Sequence, residues 1–208
     1  MKSIVIVNYG MGNIYSLSSA IRFLGYEPIL SSEERDILEA DYLFLPGVGS
    51  FYNAMKKIVS IGLDQILKIA VYDKKIPLLG ICLGMQLLAQ RGTEDGESEG
   101  LGFIEGSVER FQQIDKKIKI PHIGFSPTTI TKDDKIFEGI DKKADFYYNH
   151  SYRVICPEEY VIATAINGEP FVAAIKKDNV YGTQFHPELS QSNGLRLIKN
   201  FLKLKDAV

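Results

Sequence analysis

The sequence predicts an α/β fold, a mostly parallel central sheet with flanking helices and additional antiparallel strands in the second half. Up to about residue 90, short apolar runs alternate with amphipathic helical patterns, the signature of a parallel sheet covered by crossover helices. From about residue 103 the runs shorten and turn signals separate them, as in meandering strands that extend a sheet or add a second one. A length of 208 residues supports one core burying about 70–75% of the unfolded surface, so a single domain over residues 1–208 is the simplest division.

The elements follow in order. Ser3 to Val7 reads as a buried strand, broken by Gly10-Met11-Gly12; Ile14, Leu17, Ser18, Ile21 and Leu24 then fall at helical spacing, ending near Gly25. The unit repeats as Tyr42 to Leu45, the loop Pro46 to Ser50 and helical stretches through Tyr72, and again as Ile76 to Ile81 followed by a helix from Leu83 to Gln90. The later runs are Phe103 to Phe111, Ile118 to Ile120, Phe146 to Asn149, Tyr152 to Ile155, Val161 to Ala165, Phe171 to Ile175 and Val180 to Gln184. A last helix from Ser192 to about Leu204 carries Leu195, Ile198, Phe201 and Leu202 on one face.

Composition excludes some functions. A formal charge of −2 argues against nucleic acid or an anionic membrane as a partner. Two cysteines, Cys82 and Cys156, are too few for a disulfide framework and too distant for a zinc knuckle. The first residues do not read as a secretory leader, and no run approaches the ~20 apolar residues of a membrane-spanning helix, so a cytoplasmic protein is expected.

Chemistry points to Cys82. The run Ile76-Pro77-Leu78-Leu79-Gly80-Ile81 stops at Cys82-Leu83-Gly84 and passes directly into a helical pattern. Gly-x-Cys-x-Gly is the thiol version of the nucleophile turn, in which a strand reverses into a helix so sharply that only small neighbours fit. The turn places the sulfur at a helix N-terminus, which favours thiolate. The competing reading is a buried structural cysteine, but a packed core strand gains nothing from two flanking glycines.

A thiolate nucleophile needs a base, and the chain has 3 histidines, His122, His150 and His186. His186 ends a β-like run, with Glu188 two residues on; residues i and i+2 of an extended segment share a face, so Glu188 can fix the ring's tautomer while the other nitrogen faces the sulfur. Alone, His-Pro-Glu reads equally as a surface turn. His122 and His150 read as structural. Gly10-x-Gly12 after a strand invites a dinucleotide site, but Tyr15 stands where the fingerprint requires glycine. The acidic loop Thr93 to Gly100 follows the helix behind Cys82, so Glu94 can fold over the mouth of the site.

The strings Gly80-Ile81-Cys82-Leu83-Gly84-Met85-Gln86 and Phe185-His186-Pro187-Glu188 resemble the class I glutamine amidotransferases, which hydrolyse glutamine and hand the ammonia to a synthase. Asn8-Tyr9-Gly10-Met11-Gly12-Asn13, Pro46-Gly47-Val48-Gly49-Ser50-Phe51, Pro121-His122-Ile123-Gly124 and His150-Ser151-Tyr152 occur in the order found in the glutaminase subunits of imidazole glycerol phosphate synthase. The resemblance covers about residues 3 to 203 and implies the family's fold, a Cys82-His186-Glu188 triad and no metal or organic cofactor. It further implies an oxyanion site from backbone at Leu83 and at Gly47-Val48, the latter after a partner-linked peptide flip. Gln86 and Glu94 would hold the α-ammonium of glutamine, and backbone at Gly49, Ser151 and Tyr152 its carboxylate. A cyclase or synthase subunit would complete a heterodimer, docking near Asn13.

The sequence departs from the family at that docking face. Phe125-Ser126 stands where Trp-Asn is usual, and Leu189 where lysine follows His-Pro-Glu. These changes suit a paralogue supplying ammonia for amidino-sugar synthesis on surface polysaccharides. A stand-alone hydrolase or peptidase of the same fold, and a catalytically silent scaffold, are the other readings of the chain.

Overall fold

The computed structural model describes residues 2–112 and 118–207. The first half runs β1 (Ile4–Val7), α1 (Ile14–Phe23), β2 (Pro28–Ser31), α2 (Glu34–Leu38), β3 (Tyr42–Gly47), α3 (Phe51–Ser60), α4 (Leu63–Lys68), β4 (Leu78–Cys82) and α5 (Leu83–Leu87). The second half contains β5 (Ala89–Gly92), β6 (Ser98–Glu99), β7 (Ile104–Arg110), β8 (His122–Ile130), β9 (Lys143–His150), β10 (Tyr152–Ile155), β11 (Val161–Asn167), β12 (Glu169–Lys177), β13 (Val180–Thr183) and α6 (Gln191–Phe201).

The strands form a 9-stranded sheet in the order β2-β1-β3-β4-β13-β12-β11-β8-β9 and a 4-stranded sheet in the order β10-β7-β5-β6. Strands β2, β1, β3, β4 and β13 are mutually parallel, and from β12 to β9 the ladder is antiparallel. The change from one pattern to the other at β13 sets the carboxyl ends of β4 and β13 side by side, with Thr183 level with Ile81.

The continuous apolar runs of β1, β3 and β4 follow from burial on both faces. Ile4, Ile6, Phe44 and Leu79 face Leu17 and Ile21 of α1 and Leu197, Ile198 and Phe201 of α6. Val5, Val7, Leu43, Leu45 and Leu78 face the opposite layer, with Ala54 and Ile58 of α3, Leu63 and Leu67 of α4, and Ile104, Val108 and Val154 of the smaller sheet.

The structure departs from the sequence expectation in four places. The helix expected to reach Gln90 stops at Leu87, because Ala89–Gly92 pairs as β5 with β7; a helix this short has too little cooperative stability to resist a sheet ladder. The short β2 and α2 have no counterpart among the expected elements; β2 begins on a proline at the sheet edge, where a missing N–H is tolerated. Ile118 and Ile120 lie in bends rather than a strand. The strand follows as β8, whose pattern is inverted: Ile123 and Phe125 are exposed while His122 and Thr128 are buried.

Candidate functional site

Cys82 is the last residue of β4, opposite Gly47 of β3, and occupies φ 53°, ψ −110°. A non-glycine residue adopts positive φ only where its surroundings enforce it. The flanking glycines show why. A Cβ on Gly84 would overlap the Leu45 carbonyl oxygen, and one on Gly80 would lie 2.6 Å from the Gly84 carbonyl oxygen. The nucleophile turn therefore packs against β3 with no room for side chains on either side.

The neighbouring loop is similarly close. A Cβ on Gly47 would lie 2.5 Å from the Tyr9 hydroxyl, which donates to the Pro46 carbonyl at 2.8 Å. Beyond Gly47 the chain turns outward. Val48 is 46% exposed and Gly49 takes φ 109°.

His186 lies just past β13. Its N–H donates to the Tyr147 carbonyl at 2.8 Å, its carbonyl accepts from the Ser190 hydroxyl at 2.6 Å, and that hydroxyl accepts from the Tyr147 N–H at 2.9 Å. Strand β9 thus fixes the backbone under the ring. Nδ1 of His186 lies 2.9 Å from Glu188 Oε1, with both side chains buried. Burial alone would disfavour the imidazolium, but attraction and hydrogen bonding to Cys82, aided by Glu188, raise the His186 pKa to about 10. The arrangement pairs a protonated imidazole with the sulfur.

Gln184 was not singled out by the sequence. Its Nε2 lies 3.7 Å from Cys82 Sγ, and its Oε1 accepts from Gln86 Nε2 at 3.1 Å. Gln86 Nε2 also donates to the Tyr152 carbonyl at 3.0 Å, so its side-chain donor is committed to the protein and Oε1 is its acceptor. The spacing was a usable signal, since Gln184 precedes His186 by two residues and so shares its face. The Asn149 carbonyl, 3.7 Å from Sγ, completes the surroundings of the sulfur.

These groups open into a cleft of about 630 Å³. Cys82, Leu83, His186, Val48, Gly49, Gln86, Ser151 and Tyr152 line it. Glu94 and Leu189 also line it, as does Asn13 near Gly12. Glu94 Oε2 accepts from the Phe51 N–H at 3.3 Å at the start of α3; burial raises its pKa, an effect this N–H opposes and Asp95 reinforces. Glu188, bonded to His186 Nδ1, and Gly47 are not among the lining residues. Phe125 and Ser126 are not lining residues; Phe125 is exposed, and Ser126 is bonded to His122 Nε2 at 2.8 Å. His150, which lines the cleft, keeps a neutral ring, its pKa pushed down to about 3 by burial. Among the described residues no group of three or more His, Cys, Asp or Glu is placed to hold a metal ion, and no helix is long and apolar enough to cross a membrane.

A buried cysteine at a strained strand-to-helix turn, an imidazole held by a carboxylate and an adjacent cleft can carry out acyl transfer from a small amide. The comparisons agree. A family model described as glutamine amidotransferase class-I matches residues 5–204. The imidazole glycerol phosphate synthase subunit HisH 1 of Campylobacter jejuni is 46% identical over 201 residues, covering 97% of this chain and 100% of the relative. The HisH subunit of Aquifex aeolicus is 44% identical, covering 95% and 94% of the two chains. A putative GMP synthase protein from Thermoplasma acidophilum superimposes with a TM-score of 0.73 at 24% identity over 97% of this chain and 92% of its own, a likeness of fold. With the family model spanning nearly the whole chain and relatives of this similarity matching end to end, the chain belongs to the class-I glutamine amidotransferase family.

Proposed function

We propose that the chain is the glutaminase subunit of an imidazole glycerol phosphate synthase in histidine biosynthesis. In this reading it works in the cytoplasm as a heterodimer with a cyclase subunit, hydrolysing L-glutamine to glutamate and passing the ammonia across. The pairing of Cys82 at the strained turn with the Glu188-held His186 carries the chemistry, and the names of the relatives carry the pathway.

Cys82 thiolate attacks the side-chain amide carbon of glutamine. The oxyanion is received by the Leu83 N–H and, after reorientation of the loop, by the peptide at Gly47-Val48. His186 gives its Nε2 proton to the departing nitrogen, the C–N bond breaks, and ammonia leaves a glutamyl thioester on Sγ. Neutral His186 then takes a proton from water, whose oxygen attacks the thioester; glutamate departs and the imidazolium–thiolate pair is restored. The α-ammonium needs acceptors, which Gln86 Oε1 and the Glu94 carboxylate supply. The α-carboxylate needs donors, which backbone at Gly49 and Ser151-Tyr152 supplies. Asn13, Phe125, Ser126 and Leu189 belong to the docking face.

In the reconstituted complex, Cys82→Ala should abolish glutamine-dependent synthesis and leave synthesis from ammonium salt intact, because the second active site is on the partner. Loss of both activities would reduce Cys82 to a structural residue.

Leu189, 38% exposed at the cleft, and Phe125, 49% exposed, favour a second reading, a paralogue that docks the cyclase-like subunit of an amidino-sugar pathway. An apolar contact in place of a lysine pair should be less sensitive to salt. Titration against both kinds of subunit over a range of ionic strength decides: tight binding and full activation by the histidine-pathway cyclase alone removes the second reading.

A further inference from the structure

Three polar side chains outside the triad form a continuous hydrogen-bonded chain. Ser126 Oγ lies 2.8 Å from His122 Nε2, His122 Nδ1 lies 3.1 Å from His150 Nε2, and His150 Nδ1 lies 2.8 Å from the Tyr152 carbonyl oxygen. His122 and His150 are paired in register across β8 and β9. Both rings are buried, with Tyr148 stacked on His122 at 4.9 Å and Phe171 against both.

The carbonyl fixes the direction of every bond. A carbonyl oxygen only accepts, so His150 Nδ1 carries a proton. Burial keeps the His150 ring neutral, which leaves Nε2 as an acceptor and requires His122 Nδ1 to donate. Burial also lowers the pKa of His122, so its Nε2 accepts and the Ser126 hydroxyl donates. The polarity runs one way, from Ser126 to Tyr152.

The end of this chain is a cleft residue. The Tyr152 carbonyl accepts a second bond from Gln86 Nε2 at 3.0 Å. On the other side of the strand, the Ser151 carbonyl accepts from the Phe111 N–H at 3.0 Å. In an extended segment the N–H and carbonyl of one residue point the same way, and neighbouring residues point oppositely. Tyr152 therefore presents its N–H on the side that its carbonyl faces, away from β7, on the free edge of the smaller sheet. Two donors satisfy the carbonyl, and the N–H stays directed at the cleft.

We infer that Ser126, His122 and His150 are positioning residues, a one-directional relay that anchors the Tyr152 carbonyl and, through the residue's extended backbone, holds its N–H in the orientation needed to receive the α-carboxylate of glutamine. The inference rests on the glutaminase reading and adds residues that act through Tyr152 without touching substrate.

The test uses the polarity. Ser126→Thr keeps a hydroxyl donor, whereas the carboxylate of Ser126→Asp at neutral pH and above only accepts. An acceptor there forces the His122 proton to Nε2, turns both neutral rings over in tautomer, and sets a lone pair of His150 Nδ1 against the Tyr152 carbonyl. Cys82 labelling by a diazoketone analogue of glutamine, followed by intact mass at pH 8, yields an inhibition constant and a limiting rate. Iodoacetamide, which has no α-amino or carboxylate group, reports on the reactivity of the sulfur itself.

Ser126→Asp should raise the analogue's inhibition constant about tenfold, the scale of one lost hydrogen bond to a buried group, with the limiting rate and iodoacetamide labelling unchanged. Ser126→Thr should stay within about twofold of the parent. In a His122→Phe background, where the ring stack survives but the relay is cut, Ser126→Asp should add less than about twofold; His122→Leu replaces that background if the phenylalanine variant does not fold. The inference is overturned if Ser126→Asp has no effect, if its effect persists without His122, as a charge acting through space would, or if iodoacetamide labelling falls in parallel. Failure of the glutaminase reading has a different mark: the parent protein would react with iodoacetamide and ignore the analogue.

Discussion

Glu188 Oε1 lies 2.9 Å from His186 Nδ1, and its second oxygen, Oε2, is buried with no hydrogen-bond partner among the described residues. The carboxylate thus depends on a single partner for its compensation, and that partner must be protonated to give it.

Glu188→Gln preserves the shape and removes the charge. The amide can present its oxygen to Nδ1, but it no longer attracts the imidazolium. We expect kcat for glutamine hydrolysis to fall by roughly 10⁴ with KM little altered, the scale of the loss when the carboxylate of such a set is removed or neutralised. Steady-state kinetics check this, and a change confined to KM would remove Glu188 from the triad.

His186 should titrate near pH 10 in the folded protein, and its pKa should fall in Cys82→Ala, because the attraction and hydrogen bond to the sulfur are gone while burial still opposes the charge. NMR of the ring follows both. A raised folded-state pKa stabilises the protein fully below the unperturbed value of 6.5, and that contribution disappears as pH rises through about 10. Urea unfolding should therefore show stability lost between these limits in the parent and a smaller loss in Cys82→Ala. An unshifted His186 in that variant would mean that the sulfur and the ring are uncoupled.

Gly84→Ala should be severely destabilising, by about 3 kcal/mol or more, because the new Cβ overlaps the Leu45 carbonyl oxygen and β3 must move from α5. Gly62→Ala is the control: its Cβ meets nothing within 4 Å and only φ 70° opposes it, a cost of about 1–2 kcal/mol. Equal midpoints in urea for the two variants would show that the turn has room to relax.

The Gly47-Val48-Gly49 loop leads to a prediction about glutamine turnover without a partner. It should be low in the isolated protein and rise by about 10²–10³ with a ligand-bound partner, the worth of one oxyanion donor. Identical turnover with and without a partner ends the switching idea.

Much of the site could be read from residue order because its parts are local. The glycines at 80 and 84 report on one turn, and the spacing of His186 and Glu188 on one extended segment. The parallel strands β1, β3 and β4 were legible for the same reason, since each is buried on both faces and reads as an unbroken apolar run, whereas the half-exposed edge strand β2 does not. The rest depends on distant partners. Nothing in Ala89 to Gly92 announces a strand until β7 lies beside it, and β8 hid because it buries His122 and Thr128 while exposing Ile123 and Phe125. Gln184 meets the sulfur only once β4 and β13 lie side by side, and the polar chain ending at Tyr152 forms only once β8 pairs with β9.

That adjacency bears on how the protein is made. β4 emerges from the ribosome early, but its neighbour β13 comes from the last part of the chain. During synthesis Cys82 lacks its imidazolium partner. Only the docking of β13, a late and non-local event in folding, brings His186 to the sulfur. A nascent or truncated chain therefore lacks the pair of side chains that the proposed chemistry needs, and that pair is assembled together with the cleft that encloses it.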